Sequence, residues 1–188
     1  QSPPSLWHVA WQPDHNWCVT TTALTSKIWL IYEDDAGEWQ AKAVADIGDA
    51  SKIPLPVDIS IQSDDKGLWV NTFMDGKTRY FDLTDIHNPK QIYEKVIDTQ
   101  VNMASSSWDG SRIYYTSSLL ANWDKKGDDN QQYFKGYEWN GKELVEKFHI
   151  DFNAQKLGRA HQMRFGAYSL YASAPAVSTD KQIASDAR

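Results

Sequence analysis

The histidines are the residues of this chain best suited to metal or catalytic chemistry, because imidazole is the commonest transition-metal ligand and transfers protons near neutral pH. The chain contains five of them: His8, His15, His87, His149 and His161. Turn and loop sequences surround His15 and His87, and His149 falls in a predicted outer strand, so these three are interpreted as surface or packing residues. His8 and His161 lie at the starts of predicted innermost strands and are the candidate metal ligands.

Polar residues near these histidines could support a site. Asp58 could orient a histidine through its carboxylate, or it could simply cap the backbone at the start of a strand. Gln162 directly follows His161, and Arg159 precedes it by two residues. Arg159 and Arg164 could face an anionic ligand, although pairing with a neighbouring carboxylate is favoured for Arg164. We therefore predict Asp58, Gln162 and Arg159 as supporting residues of the site.

Two histidines do not make a complete site. A copper or zinc centre needs roughly three or four donors, and the chain has no His-x-x-x-His or similar chelating pair. Its single cysteine, Cys18, excludes an internal disulfide or a cysteine-based zinc site. No cationic residue adjoins Cys18, so it is not predicted to be a nucleophile. Any metal centre is expected to take further ligands from outside this chain.

The charge pattern excludes some classes of partner. The formal net charge is −6, and Lys and Arg are scattered along the chain, which argues against nucleic-acid binding. No apolar run approaches the length of about eighteen residues that a membrane span requires, so no span is predicted. Nine Trp and nine Tyr favour a protein rich in β-strands.

The elements that must position the candidate residues come from an internal repeat. Three stretches share one pattern: SLWHVAWQPDHNWCVTTT, PVDISIQSDDKGLWVNTF and VNMASSSWDGSRIYYTSS. Each predicts a short strand, a polar turn and a strand rich in aromatic and β-branched residues. The second strands begin at Trp17, Leu68 and Ile113, which are 51 and 45 residues apart. Periods of about this size are typical of propeller blades.

The predicted fold is an all-β propeller of about three and a half four-stranded blades, covering residues 1–173. The blades span approximately residues 5–50, 55–98 and 100–151, with the start of a fourth at 158–173, and residues 174–188 form a C-terminal tail. Propellers close with typically four to eight blades. We therefore expect a second chain or a missing N-terminal half to complete the ring, and an oligomer in the former case.

The innermost strand of each blade lines the central channel of a propeller. Polar residues at the starts of these strands should therefore converge at one mouth of the channel, where a ligand would bind. The starts fall at or near Trp7, His8, Asp58, Asn102, Met103, His161 and Gln162.

Three segments resemble the selenium-binding protein and methanethiol oxidase family. They read VDISIQSDDKGLWVNTFMDGKTRYFDLTDIHNPK, SSSWDGSRIYYTSSLLANWD and RAHQMRF, and the resemblance runs from about residue 17 to residue 165. It implies a β-propeller and, as in the bacterial enzymes, copper-dependent oxidation of methanethiol by O2 to formaldehyde, hydrogen sulfide and hydrogen peroxide. It also implies histidine copper ligands, and His161 is the position that matches the family motif.

The same resemblance implies partners. The family's double-histidine segment and reactive cysteine belong to an N-terminal half with no counterpart in these residues, so that half, or a second chain, is expected to complete both ring and site. A small thiol is the expected substrate. For the compartment, the periplasm or secretion is favoured, with the cytoplasm left open.

Two other functions are open from the residues. The chain could belong to a non-catalytic propeller that binds a partner or small ligand, with His161 as a structural residue. A lactonase-like hydrolase with a divalent metal would need carboxylate and amide ligands. Asp58 and Asn102 are the inner-strand candidates for that role, and this function ranks last.

Overall fold

The computed structural model describes residues 16–117 and 132–163, together with the backbone of residues 6–11. Within these ranges the chain forms three antiparallel sheets of four strands each. Blade 1 consists of β1 (Leu6–Trp11), β2 (Trp17–Thr22), β3 (Lys27–Glu33) and β4 (Trp39–Asp46). Blade 2 consists of β5 (Pro56–Ile61), β6 (Gly67–Thr72), β7 (Lys77–Asp82) and β8 (Lys90–Val96). Blade 3 consists of β9 (Ala104–Ser106), β10 (Arg112–Thr116), β11 (Tyr133–Trp139) and β12 (Leu144–Asp151).

In each sheet the strands follow one another in chain order, and one turn of 3₁₀ helix, Ala50–Lys52, precedes blade 2. The first strands of the blades are neighbours, since β1 contacts β5 and β5 contacts β9. The outermost strands β4, β8 and β12 are mostly exposed. This radial arrangement is that of consecutive propeller blades, and it confirms the predicted fold class.

The sequence pattern also predicts the strand positions closely. Strand β2 begins at Trp17 as predicted, and β6 and β10 begin one residue before the predicted Leu68 and Ile113. The intervening turns are built as the polar residues require: the Asp109 carboxylate accepts a hydrogen bond from the Ser111 backbone N–H at 3.1 Å. Side-chain acceptors of this kind stabilise tight turns through contacts within a few residues, so such turns can be predicted from the sequence.

The core lies between the blades. Blades 1 and 2 bury an aliphatic cluster that includes Val19, Leu30 and Leu68. Blades 2 and 3 bury an aromatic one, in which Trp69 is fully enclosed. Burial of one such large side chain stabilises the fold by about 1.5–3 kcal/mol, so these two seams are the main source of stability.

Close packing inside blade 2 depends on a glycine. A Cβ at Gly67 would lie 1.9 Å from the hydroxyl oxygen of Tyr80, which is a distance no side chain could accept. The absence of a side chain at Gly67 therefore allows Tyr80 to lie across the sheet, where it packs against Trp69 with ring centroids 4.5 Å apart.

The fourth unit stays a prediction, because only its first residues are described. Residues 157–163 contain no regular secondary structure, although the fourth blade was predicted to start at residue 158. The remainder of that unit, from residue 164, and the predicted tail lie outside the described residues. A β-strand forms only when a neighbouring strand pairs with it, and sequence pattern alone does not supply that partner.

No helix in the described ranges has the length and apolar character needed to cross a membrane.

The buried phenol of Tyr80 makes stability depend on pH in alkaline solution. Burial, with smaller contributions from Asp64 and Asp82, raises the pKa of Tyr80 to about 12. The unfolded chain loses this proton near pH 10, so the stability that the neutral phenol contributes is fully present below pH 10 and is lost as pH rises towards 12. We expect Tyr80→Phe to flatten the fall in unfolding free energy between pH 9.5 and 11.5, measured by urea denaturation. An unchanged slope would contradict this assignment.

Candidate functional site

The candidate site lies where the blades meet at the inner ends of their seams. In the seam between blades 2 and 3, the Asn71 amide Nδ2 donates a hydrogen bond to the backbone carbonyl of Asn102 at 2.9 Å. One blade further on, the Thr116 hydroxyl donates to the backbone carbonyl of His161 at 2.6 Å. In each case a side chain of one blade holds the backbone at the start of the next unit.

These two contacts are equivalent by position. Leu68 pairs with Ile61 and Ile113 pairs with Ser106, so Leu68 and Ile113 occupy the same place in their sheets. Asn71 and Thr116 each follow that place by three residues. His161 therefore takes the position in the fourth unit that Asn102 takes in blade 3.

The imidazole of His161 is also contacted by blade 3. Asn102 Nδ2 lies 3.4 Å from His161 Nδ1, and either group could donate, depending on the imidazole tautomer and the orientation of the amide. The side chain of His161 is exposed, whereas Asn102 is fully buried. A rigid amide thus faces one ring nitrogen, and Nε2 is the nitrogen through which this ring would bind a ligand.

Asp58 lies on the inner strand β5 and is buried. Its Oδ2 accepts a hydrogen bond from the backbone N–H of Ala104 at 2.7 Å, and Ala104 begins the inner strand of blade 3. Of the two roles open from the sequence, this contact corresponds to the backbone cap, here formed between blades. Burying the charge stabilises the junction only because an N–H donor meets it.

The other candidates lie in several places. Gln162 and Arg159 are exposed on either side of His161. The backbone of His8 lies in the inner strand β1, but its side chain is outside the described residues, as are His15 and Arg164. His87 and His149 are exposed, as predicted, and pack edge-on against Tyr32 and Tyr133, respectively.

The described side chains do not by themselves form a metal site. Within the described ranges, no group of three His, Cys, Asp or Glu side chains could hold an ion. His161 can therefore contribute one donor, and the residues seen here do not form a complete copper site. Cys18 is buried in β2, and burial raises the pKa of its thiol, which agrees with the prediction that it is not a nucleophile.

Sequence reasoning missed two residues that build this site, Asn71 and Thr116. Each is one of the last two residues of a strand with an ordinary β pattern, Asn71 in WVNT and Thr116 in YYTS, so neither stands out as a candidate site residue. Their shared position in the repeat was the available signal, because equivalent residues of successive blades meet equivalent neighbours.

Comparison with known proteins gives consistent relatives. The sequence model of the 56 kDa selenium binding protein family matches residues 7–169. A methanethiol oxidase of Ruegeria pomeroyi is 68% identical over 163 residues, which cover 87% of this chain and 37% of that protein. A methanethiol oxidase of Hyphomicrobium sp. is 62% identical over 156 residues, covering 83% of this chain and 36% of the relative. The chain therefore spans little more than a third of the length of these relatives.

Solved structures support the fold independently. A hypothetical selenium-binding protein from Sulfolobus tokodaii superposes with a TM-score of 0.68 at 22% identity, covering 79% of this chain and 41% of that one. The Swd1 β-propeller domain of Myceliophteria thermophila superposes with a TM-score of 0.61 at 8% identity, covering 83% and 48%. At these identities the solved structures show a shared β-propeller fold. Family membership is shown by the sequence matches. The chain belongs to the 56 kDa selenium-binding protein family.

Proposed function

We propose that this chain forms the C-terminal part of a copper-dependent thiol oxidase that acts on methanethiol. One structural observation carries the proposal: the backbone of His161 is held by Thr116 of blade 3, and its imidazole is faced by Asn102. The reaction is suggested by the methanethiol oxidase that is 68% identical over 163 residues.

The reaction proposed balances as a two-electron oxidation. Methanethiol, O2 and water give formaldehyde, hydrogen sulfide and hydrogen peroxide. The carbon atom loses two electrons, water supplies the carbonyl oxygen, and sulfur leaves as hydrogen sulfide. O2 accepts the two electrons and two protons.

His161 would serve this reaction as a preorganised donor. Its backbone carbonyl is fixed by Thr116, and Asn102 faces Nδ1, so ring orientation is restrained before any ligand arrives. Restraint of this kind lowers the entropic cost of binding and selects the nitrogen that binds. Bound copper would supply electron transfer between the thiol and O2.

The remaining donors would come from outside the described residues. His8 is the candidate within this chain, because its backbone lies in the inner strand β1, which neighbours β5 around the channel. Further donors would come from the part of the longer protein that this chain does not span, or from a second chain that completes the ring. A copper site of three or four donors is compatible with such a division.

Metal analysis of the complete protein in its native state tests this function. We expect about one copper per chain by mass spectrometry of the metal, together with formation of hydrogen peroxide and sulfide from methanethiol. A protein free of any transition metal at near-stoichiometric level would refute the proposal. Zinc in place of copper, without oxidase activity, would refute the redox assignment.

A non-catalytic propeller that binds a small ligand or partner is the second candidate. The observation that favours it is the structural use of the polar inner residues. Three of these side chains form hydrogen bonds that join neighbouring units: Asn71, Asp58 and Thr116. In such a protein His161 would complete the same series of junctions and bind no metal.

A further inference from the structure

A small cavity opens at the seam between blades 2 and 3, apart from the residues that hold or face His161. It has a volume of about 120 Å³, and its walls are formed by Asp98, Gln132, Tyr133, His149 and Asp151. At roughly 30 Å³ for each group the size of a water molecule, the cavity has room for about four heavy atoms. We call it the Gln132 cavity.

The side-chain amide of Gln132 is the distinctive group in this cavity. Gln132 is 3% exposed, and within the described ranges neither its Oε1 nor its Nε2 has a hydrogen-bond partner. The backbone is held on both sides of the amide. The Phe152 N–H donates to the Gln132 carbonyl at 2.7 Å, and the Tyr133 N–H donates to Ser117 Oγ at 3.0 Å. A buried amide whose donor and acceptor are both unmet costs free energy, so a ligand that meets both is bound favourably.

The two carboxylates of the Gln132 cavity are hydrogen-bond acceptors. Asp98 Oδ2 accepts from the buried Lys135 Nζ at 2.7 Å, and Asp151 Oδ1 accepts from the Ala154 backbone N–H at 2.9 Å. An ionised carboxylate has about four lone-pair sites, so both side chains can accept further N–H donors. Two carboxylates facing one lysine also disfavour an anionic ligand. The cavity therefore suits a ligand that is rich in donors and carries no negative charge.

A larger cavity at the equivalent place between blades 1 and 2 gives a comparison. Arg79 lines it and is the third residue of β7, as Lys135 is the third residue of β11. The charged groups that line this larger cavity are paired with one another: Lys52 with Asp49, Lys77 with Glu94, and Arg79 with Asp75. Its charges are thus matched within the protein, whereas the amide of Gln132 is not matched by any described residue.

We propose that the Gln132 cavity binds a small molecule that carries a primary carboxamide or a urea group. Such a group has an N–H donor and a carbonyl acceptor side by side, so it can donate to Oε1 and accept from Nε2 of Gln132. Its remaining N–H can be accepted by Asp98 or Asp151. A carboxylate lacks the donor for Oε1, and an amidinium lacks the acceptor for Nε2. The inference does not rest on the proposed function, because it requires neither copper nor oxidase activity.

Titration of the complete protein with three molecules of the same shape tests this inference. Acetamide, acetate and acetamidinium have the same number of heavy atoms, but they offer a donor with an acceptor, acceptors only and donors only, respectively. We expect acetamide to shift the NMR signals of the Gln132 side-chain NH2 group saturably and to bind at least about tenfold more tightly than the other two. A molecule of about four heavy atoms reaches a Kd of about 40 µM at best, so the titration extends into the millimolar range.

The titration separates this inference from its alternatives. Equal or tighter binding of acetamidinium would make the cavity a cation site and overturn the inference, and equal or tighter binding of acetate would do the same for an anion site. If none of the three molecules saturates the signals, solvent is the partner of the amide and the inference is overturned. The result is the same for a metal-free protein, so it does not depend on the outcome of the copper analysis.

A matched pair of variants gives a second readout. Gln132→Met removes the amide, and we expect the affinity for acetamide, followed through the ring-proton signals of His149, to fall at least about tenfold. Gln91→Met is the control, because Gln91 is exposed on blade 2, and it should keep that affinity within about twofold of wild type. The Gln132 amide has no hydrogen bond to lose within the described ranges, so the melting temperature of Gln132→Met should not fall. Wild-type affinity in Gln132→Met would contradict the assignment of the site.

Discussion

Replacing His161 with alanine is expected to remove most of the copper proposed for this site and to lower methanethiol oxidation about 100-fold. The site proposed here has three or four donors, and the described residues contribute His161 as one of them. The loss of one such donor leaves too few ligands to hold the ion against exchange with solvent. Metal content per chain and initial rates of peroxide formation, measured on the complete protein, check this result.

The folded state should survive this change, because the His161 side chain is exposed. The Thr116 hydroxyl donates to the backbone carbonyl of His161, which alanine retains. His87→Ala is the matched control, since His87 is an exposed histidine in a loop, and it should keep both copper and activity. If His161→Ala keeps full copper and activity while only the melting temperature falls, then His161 is structural and the non-catalytic propeller is correct.

The largest effect on stability is expected from Arg79→Met. Arg79 is 2% exposed, and its guanidinium contacts Thr72 Oγ1 at 2.5 Å and Asp75 Oδ2 at 2.6 Å. It also pairs with Glu94, with Nε 2.9 Å from Oε2. Methionine fills part of the volume but leaves both carboxylates without their buried partner. Removing one member of a buried ion pair costs about 3–5 kcal/mol, and we expect about 3 kcal/mol by urea denaturation.

Lys77→Met is the matched control for Arg79→Met. Lys77 pairs with the same Glu94, but from a partly exposed position on the same strand. Ion pairs of that kind contribute about 0–1 kcal/mol, because water and salt screen them. An equal decrease in unfolding free energy for the two variants would mean that the burial of Arg79 does not contribute to stability.

Much of the fold could be predicted from the sequence for a local reason. Alternation of apolar and polar residues and the chemistry of turns act within a few residues, so strands such as β2 and the turn around Asp109 are visible without knowledge of the fold. The repeat then indicates a propeller, because blades recur with a nearly constant period. Recurrence also places His161 at the start of a unit, and that position agrees with its contact to Thr116.

The fourth unit shows where this reasoning stops. RAHQMRF is predicted to open the fourth blade, and its described residues, 159–163, contain no regular secondary structure. Local pattern gives a segment the capacity to form a strand, but the strand itself needs backbone hydrogen bonds from a neighbour. Whether a neighbouring strand supplies those hydrogen bonds depends on the rest of the molecule, and the local sequence pattern carries no information about it.

The sequence by itself therefore determined the class of fold, the number and order of the described blades, and the position of His161 at the start of a repeat unit. Only the tertiary structure decided which side chains join the blades. Asn71 meets Asn102 across 31 residues, Thr116 meets His161 across 45, and Asp58 meets Ala104 across 46. It also decided that Arg79, in a strand of ordinary pattern, is buried among carboxylates. These contacts depend on how one twisted sheet packs on the next, which is set by the fit of whole faces rather than by neighbouring residues in the chain.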